Sequence, residues 1–423
     1  MFNRRSLLKA SGAGLLAAGL PLSFGASANP LVSGKLKFLF VFAGGGWDTT
    51  RVFASEFSNG NVDMEPDAER ATSGDLRWVS HWSRPSVDAF MRAYASEIAI
   101  VNGMMVRSIS HEICTLIAMT GTTASGAPDW PAILGAAKQA DYILPHLVLS
   151  GPSFPGDLGV AVARTGSTGQ LEGLVSGDLF ASLDVPVSGP NPAAEAVMDR
   201  YLARRVEAKA LGARSPAEIR LTSDLNRSFD QARRLKEMQY LLSLSAAGDL
   251  ASQGAVAIEA LSMGVSRCAT VAHYGGDTGW DTHADNDAQQ TVLWEQLFSG
   301  LTQIMLTLEA TPGEEAASLA EETAVVVLSE MGRTPQLNGF NGKDHWPYTS
   351  AMVIAPGVRG GQVYGAFDKQ FYGVPVDTTT AETDEDNGQI LSAEALGATL
   401  LALADIDPNE HIQGVDPLMG MLL

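Results

Sequence analysis

Six short, almost uninterrupted apolar runs constrain the fold of this chain more than any other feature. They are Lys37-Phe38-Leu39-Phe40-Val41-Phe42, Ile98-Ala99-Ile100-Val101, His146-Leu147-Val148-Leu149, Ala269-Thr270-Val271-Ala272, Ala324-Val325-Val326-Val327-Leu328 and Ala351-Met352-Val353-Ile354. A strand with one face in water alternates apolar and polar residues. These runs do not alternate, so both of their faces must be covered. Helical patterns lie between them, at Ser86 to Tyr94, Ile113 to Met119, Asn286 to Leu308 and Ala393 to Leu403. Strands alternating with helices predict an α/β fold, a mostly parallel sheet sandwiched by helices. In such sheets ligands sit at the carboxyl ends of the strands.

The middle third breaks the alternation. From Ala193 to about Ala247 the chain is rich in Ala, Leu, Arg and Glu and carries no strand signal. It reads as a helical insertion packed beside the sheet, with Leu221, Leu225, Phe229, Ala232 and Leu235 as its apolar stripe. It is either a structural layer or a cover for the site. The acidic, Thr-rich stretch from Asp377 to Asn387 reads as a mobile surface loop.

Charge narrows the partners. The formal net charge is −20 over 423 residues, with no basic tract. Such a surface repels nucleic acid and anionic membrane. Residues 1–28 read as a transit signal rather than as fold. Arg4-Arg5 stand before an apolar stretch from Ala10 to about Phe24, and Ala26-Ser27-Ala28 fits a cleavage site. This predicts recognition by the twin-arginine export machinery, a periplasmic or secreted protein, and no stable membrane span after cleavage. An uncleaved N-terminal anchor is the alternative. The body of the protein is then residues 29–423, one α/β domain with its insertion. Cys114 and Cys268, the only cysteines, lack metal-ligand spacing and read as buried free thiols.

The polar motifs cluster at predicted strand ends. Gly44-Gly45-Gly46-Trp47-Asp48 follows the first strand without the spacing or lysine of a phosphate-binding loop. The glycines let the chain turn tightly and put the Asp48 carboxylate in the crevice; a turn or helix cap is the other reading. In Ser108-Ile109-Ser110-His111-Glu112, Ser110 fits a helix N-cap. A hydroxyl there also feels the positive end of a helix dipole, and His111 could ligate a metal, act as a base, or be structural. Asp281 and His283, in Gly279-Trp280-Asp281-Thr282-His283, are two apart in an extended segment and so point to one side. Asp285 and Asp287 read instead as first-turn acids of the next helix. In Ser329-Glu330-Met331-Gly332-Arg333, the Arg333 fork suits a phosphate, sulfate or carboxylate, or else pairs with Glu330. Asp344-His345 is the strongest single metal-ligand dipeptide. Oxygen and nitrogen donors without thiolate suit zinc, manganese, magnesium or calcium.

Taken together, these motifs resemble one group. The twin-arginine leader, Gly-Gly-x-Asp, Ser-His before a helix, Gly-Trp-Asp-Thr-His, Ser-Glu-x-Gly-Arg-Thr-Pro, Asp-His and Gly357-Val358-Arg359-Gly360-Gly361-Gln362-Val363-Tyr364-Gly365 are similar to the bacterial "domain of unknown function 1501" family. That family is grouped with the alkaline phosphatase and sulfatase superfamily. The resemblance implies a three-layer, alkaline-phosphatase-like α/β/α fold and a two-metal site. It implies Asp48, Asp281, His283, Asp344 and His345 as metal ligands and Ser110 as nucleophile; Glu330 is a further candidate ligand. Two divalent ions about 4 Å apart stabilise both oxygens of a displacement at phosphorus or sulfur. The chain lacks a Cys-x-Pro-Ser-Arg segment, which sets it apart from formylglycine sulfatases.

Two expectations follow. One is an exported metal-dependent hydrolase of phosphate or sulfate esters. There Ser110 attacks or positions water, Arg333 clamps the anion, and the substrate is an anionic small-molecule or polymer ester. The alternative is a non-catalytic exported binding or assembly protein that keeps the fold.

Overall fold

The computed structural model describes residues 35–165, 171, 191–237, 248–276 and 279–423. The twin-arginine segment lies outside them. Among the described residues the strands are β1 (Lys37–Ala43), β2 (Glu69–Ser73), β3 (Leu76–Ser80), β4 (Ile98–Met105), β5 (His146–Val148), β6 (Val162–Arg164), β7 (Cys268–His273), β8 (Thr323–Ser329), β9 (Gly332–Arg333), β10 (His345–Trp346), β11 (Tyr348–Ile354) and β12 (Gln362–Tyr364). The α-helices among them are α1 (Pro85–Ala93), α2 (His111–Thr120), α3 (Trp130–Ala136), α4 (Pro192–Gly212), α5 (Pro216–Glu237), α6 (Leu250–Ser262), α7 (Asn286–Ala310) and α8 (Ala393–Leu403).

The central sheet has eight strands in the order β12-β4-β11-β8-β1-β7-β5-β6. All pairings are parallel except those of β11, which runs against both β4 and β8. The buried runs therefore form the expected mostly parallel sheet, with one reversed strand inside it.

Burial of both faces explains the uniform strands. On β1, Leu39, Val41 and Ala43 pack toward α1, α6 and α7, against Phe90, Leu261 and Trp294. Phe38, Phe40 and Phe42 point the other way, toward Met119 of α2, Ile133 of α3 and Leu400 of α8. The result is a three-layer α/β/α sandwich. Each such fully buried side chain stabilises the fold by roughly 1.5–3 kcal/mol. Cys114 and Cys268 are unpaired and buried.

Asn191 caps helix α4, its side chain accepting from Ala194 N, and α5 packs back on α4, so the insertion is a helical hairpin as far as residue 237. Residues 238–247 lie outside the described chain. The expected stripe on α5 is only partly its buried face. Leu235 is buried and Phe229 half-buried, whereas Leu221, Leu225 and Ala232 are exposed and Thr222 is buried in their place. The helix touches its neighbour through Arg220, paired with Asp157 at 2.7 Å beside the β6 edge. The acidic loop is pinned: Val376 bridges Thr383 and Gln389, and Asp377 and Asp384 cap their own turns.

Because seven strands share one direction, the ends of β1, β4, β7 and β8 open on the same edge. Gly44, Ser110, Asp281 and Glu330 all follow these ends.

Candidate metal centre

The turn after β1 carries φ of +132° at Gly45 and +79° at Gly46, a region that excludes side chains at little cost only for glycine. The turn brings the Gly45 N–H to Glu330, just after β8, at 2.8 Å. Glu330 Oε1 also accepts from His111 Nδ1 at 2.9 Å, and Ser329 Oγ donates to Glu330 Oε2 at 3.0 Å. His111 opens α2. The two-residue ladder of β9 with β10 sets Arg333 opposite His345.

Three imidazoles meet Asp281 at this edge. Asp281 Oδ1 lies 3.4 Å from His111 Nε2, 3.1 Å from His283 Nε2 and 3.1 Å from His345 Nε2. His283 Nε2 and His345 Nε2 are 3.0 Å apart. Each ring's other nitrogen faces an acceptor. His111 Nδ1 faces Glu330, His283 Nδ1 reaches Asp344 Oδ1 at 2.8 Å, and His345 Nδ1 reaches Ile109 O at 2.6 Å. Those contacts put the proton of each neutral ring on Nδ1. Ligand atoms of His111, His345 and Asp281 then lie within 4.8 Å of one another, and His283 Nε2 meets the same Asp281 oxygen and His345 Nε2. Among the described residues His111 Nε2 is buried with no hydrogen-bond partner. Acceptors gathered in this way need a cation, and an outer ring of carboxylate and carbonyl groups on the far nitrogens is how metal-binding histidines are held. The residues present therefore fit a metal ion. Three nitrogens and one carboxylate suit zinc-class ions better than magnesium or calcium, which favour all-oxygen shells.

The electrostatics agree. Burial alone would raise the Asp281 carboxyl, but the Arg333 guanidinium outweighs it and holds it at about 2. The hydrogen bond it donates to Glu330 raises His111, against partial burial. A proton and a metal ion compete for such a nitrogen. The hydrogen bond from His283 lowers Asp344.

The other sequence-derived residues fall around this cluster. Glu330 and Asp344 stand behind His111 and His283 rather than among the converging atoms. Asp48 is elsewhere: it is fully buried, caps Thr50 N, and is held by Lys343 Nζ at 3.0 Å and Asn286 Nδ2 at 2.8 Å. The expected convergence of Asp48 with Asp281 and Asp344 is therefore absent. Arg333 is also fully buried. It donates to Asp281 at 2.7 Å and to the carbonyls of Gly46, Lys343, Gly45 and Trp280. A fork already filled by carbonyls cannot swing out to clamp an anion, and it pairs with Asp281, not Glu330. Ser110 precedes α2 without a side-chain cap bond; its exposed Oγ donates to Glu112 Oε2 at 2.9 Å. Ser110 thus sits between Ile109 and His111, both of which touch the cluster. Asp287 lies in the first turn of α7, where Arg51 pairs with it, and Asp285 is the residue before that helix.

Sequence reading left three features unassigned. The Ile109 carbonyl carries no sequence signal. Glu112, beside Ser110, is held low by its own backbone N–H and by Ser110. Lys343 precedes Asp344-His345 and carries no metal-ligand chemistry of its own.

The mouth is open on one side. The side chains of Asp281 and His283 are 45% and 46% exposed, against 2% for Glu330 behind them. A cavity of about 770 Å³ lies at the end of β7, lined by His273, Tyr274, Gln296, Ser299 and Gln303. Tyr274 stands between that cavity and the glycine turn, its ring against Gly44.

The fold and site define an α/β/α protein with a histidine-rich candidate metal centre. The family described as "Protein of unknown function (DUF1501)" matches residues 37–416, and the chain belongs to it. No curated protein sequence matches the chain. Among solved structures it is similar to the lipoteichoic acid synthase LtaP from Listeria monocytogenes, at 11% identity and TM-score 0.42, over 91% of this chain and 76% of that one. It is also similar to a protein in the alkaline phosphatase superfamily from Vibrio parahaemolyticus, at 9% identity and TM-score 0.39, covering 88% and 67%. A third is the phosphonate monoester hydrolase of Agrobacterium radiobacter, at 10% identity and TM-score 0.32, covering 91% and 77%. Among the described residues no helix is long and apolar enough to cross a membrane.

Proposed function

We propose that this chain is a metal-dependent hydrolase of phosphate or sulfate esters that works outside the cytoplasm after twin-arginine export. The observation that carries the reading is the meeting of His111, His283 and His345 Nε2 with Asp281 Oδ1 at a solvent-open strand edge. These four residues are the proposed ligands, and zinc is the proposed ion. The arrangement favours one ion over two, because Asp48 is already neutralised by Lys343. A bound divalent cation supplies charge neutralisation at an ester's non-bridging oxygens.

The chain's own groups then have assignable work. Ser110 Oγ is the attacking hydroxyl, or orients the attacking water, and Glu112 accepts its proton. With Ser110 as nucleophile, the bond from phosphorus or sulfur to the alcohol oxygen breaks, the alcohol leaves with a proton, and water opens the seryl ester. Glu330, Asp344 and the Ile109 carbonyl keep the three rings in one tautomer. The body of an anionic small-molecule or polymer ester lies toward the cavity beside Tyr274.

A non-catalytic metal-holding protein is the second reading. One observation favours it: Arg333, expected to receive the anion, is buried and saturated. A hydrolysis screen with p-nitrophenyl phosphate, p-nitrophenyl sulfate and p-nitrophenyl phenylphosphonate separates the two. Turnover lost in both S110A and H345A supports the hydrolase. Metal-loaded, folded protein that cleaves none of the three supports the second reading.

A further inference from the structure

A buried ionic network lies beneath the cluster, and neither the ester chemistry nor the ligand set uses it. Asp48, Lys343 and Arg51 have no exposed surface. Every acceptor direction of Asp48 is occupied. Oδ1 takes Thr50 N at 3.0 Å and Thr50 Oγ1 at 2.6 Å; Oδ2 takes Asn286 Nδ2 at 2.8 Å and Lys343 Nζ at 3.0 Å, with Arg51 Nε at 3.5 Å. Arg51 in turn pairs with Asp287, so two cations meet two anions and the network closes neutral.

Both ligand-bearing segments hang from this network. Lys343 immediately precedes Asp344-His345. Its backbone N–H donates to Thr282 O at 3.1 Å, and its own carbonyl accepts from Arg333 at 3.2 Å. Thr282 sits between Asp281 and His283. It is held by Asn286, whose Oδ1 accepts from Thr282 Oγ1 at 2.7 Å and whose Nδ2 donates to Asp48. Gln290 ties the same parts again. It accepts from Asp48 N at 3.0 Å and donates to Trp280 O and Thr282 Oγ1, each at 3.1 Å. Asp48 is thus bonded, directly or through a single amide, to both segments.

We propose that Asp48 is a positioning residue. With Lys343 it forms a buried strut that fixes the Asp281–His283 segment against the Asp344–His345 segment and so sets the spacing of the Nε2 atoms. The proposal rests on the reading of His283, His345 and Asp281 as ligands. The physics is that of a buried ion pair, which contributes little net stability yet is costly to break from one side. Removing one partner strands the other charge, and the segment carrying it must shift to reach water. Removing both strands nothing.

Co²⁺ is the probe, followed by its absorption spectrum on titration into the full metal-free chain. D48N and K343M are each expected to weaken Co²⁺ binding by tenfold or more. The D48N/K343M double variant should be weakened less than the product of the two single effects. If Asp48 were instead a ligand, K343M would keep wild-type affinity and the double variant would match D48N, overturning the proposal. Folded D48N and K343M with wild-type affinity and spectrum would overturn it as well.

A second readout needs no metal. Exchange of the Lys343 amide, bonded to Thr282, should accelerate at least tenfold in D48N relative to wild type, while amides of β1 stay protected. Unchanged exchange overturns the strut. If a single variant fails to fold, the double variant decides by the same measurement. Wild-type protein that binds no Co²⁺ would refute the ligand reading while leaving amide exchange to judge the strut.

Discussion

Gly342 offers the sharpest test of how the two ligand segments meet. A Cβ built there would lie 1.9 Å from both the C and O atoms of His283 and 2.4 Å from Ala284 N. All three are backbone atoms, which cannot rotate aside as a side chain could. To reach ordinary contact at 3.4 Å the two segments must part by about 1.5 Å. Metal ligands tolerate displacements of roughly 0.2 Å. G342A should therefore lower Zn²⁺ affinity by about 10- to 100-fold, equivalent to roughly 1.4–2.8 kcal/mol. Forcing an extra carbon into a packed place costs about 1–3 kcal/mol of stability as well. The assay is competitive titration of the metal-free protein against a chelator, with a thermal melt of each variant. Gly339 gives an internal control from the same loop, because a Cβ there meets nothing within 4 Å. G339A should behave as wild type. If G342A and G339A bind Zn²⁺ equally well, the close approach does not set the ligand geometry.

S110A should abolish ester turnover while leaving metal content intact; metal loss in S110A would instead give Ser110 a structural part. Burial lowers His146 to about 3, and its Nε2 meets Thr270 Oγ1 at 2.8 Å. The folded value lies below the unfolded one, so this contribution is full above about pH 6.5 and lost as pH falls toward 3, at roughly 1.4 kcal/mol per pH unit. H146Q keeps a partner for Thr270 without titrating, so its urea midpoint should fall less steeply than wild type across that window; parallel curves would contradict this. Burial pushes the Cys114 thiol up to about 11 and Cys268 to about 12, so neither should react with a thiol reagent at pH 8 until the protein is denatured. Rapid labelling of native protein would show one of them to be accessible.

The parts of this fold written most plainly in the sequence are those buried on both faces. The runs at Phe38, Ile98 and Val325 can be nothing but central strands, and they are. Direction is different: Ala351–Ile354 is as uniformly apolar as its neighbours, and nothing in it announces that β11 runs backwards. The edge strands β6 and β12, three residues each, are too short to leave a period. On α5, helical spacing suggested a stripe through Leu221, but a hairpin against a sheet edge buries only the face that meets it. The site divides in the same way. Asp281, His283 and His345 were legible as local pairs with the right chemistry. Asp48 was not, because the lysine that claims its carboxylate lies far along the chain. Arg333 was misread for a related reason: its donors could be counted, but the carbonyls waiting for them belong to turns whose shape only the fold supplies. For His111 the sequence leaves ligand, base and structural roles open, and it is the Glu330 contact that decides which nitrogen faces the cluster.

Three imidazoles and Asp281 are expected to hold one divalent ion. Elemental analysis of protein exported and folded in a native host, combined with X-ray absorption at the edge of the ion found, tests it most directly. The expected result is one zinc-class ion per chain with imidazole scattering, lost in H111A, H283A, H345A and D281N alike. Metal-free wild-type protein, or an ion retained at full occupancy in those four variants, would contradict it.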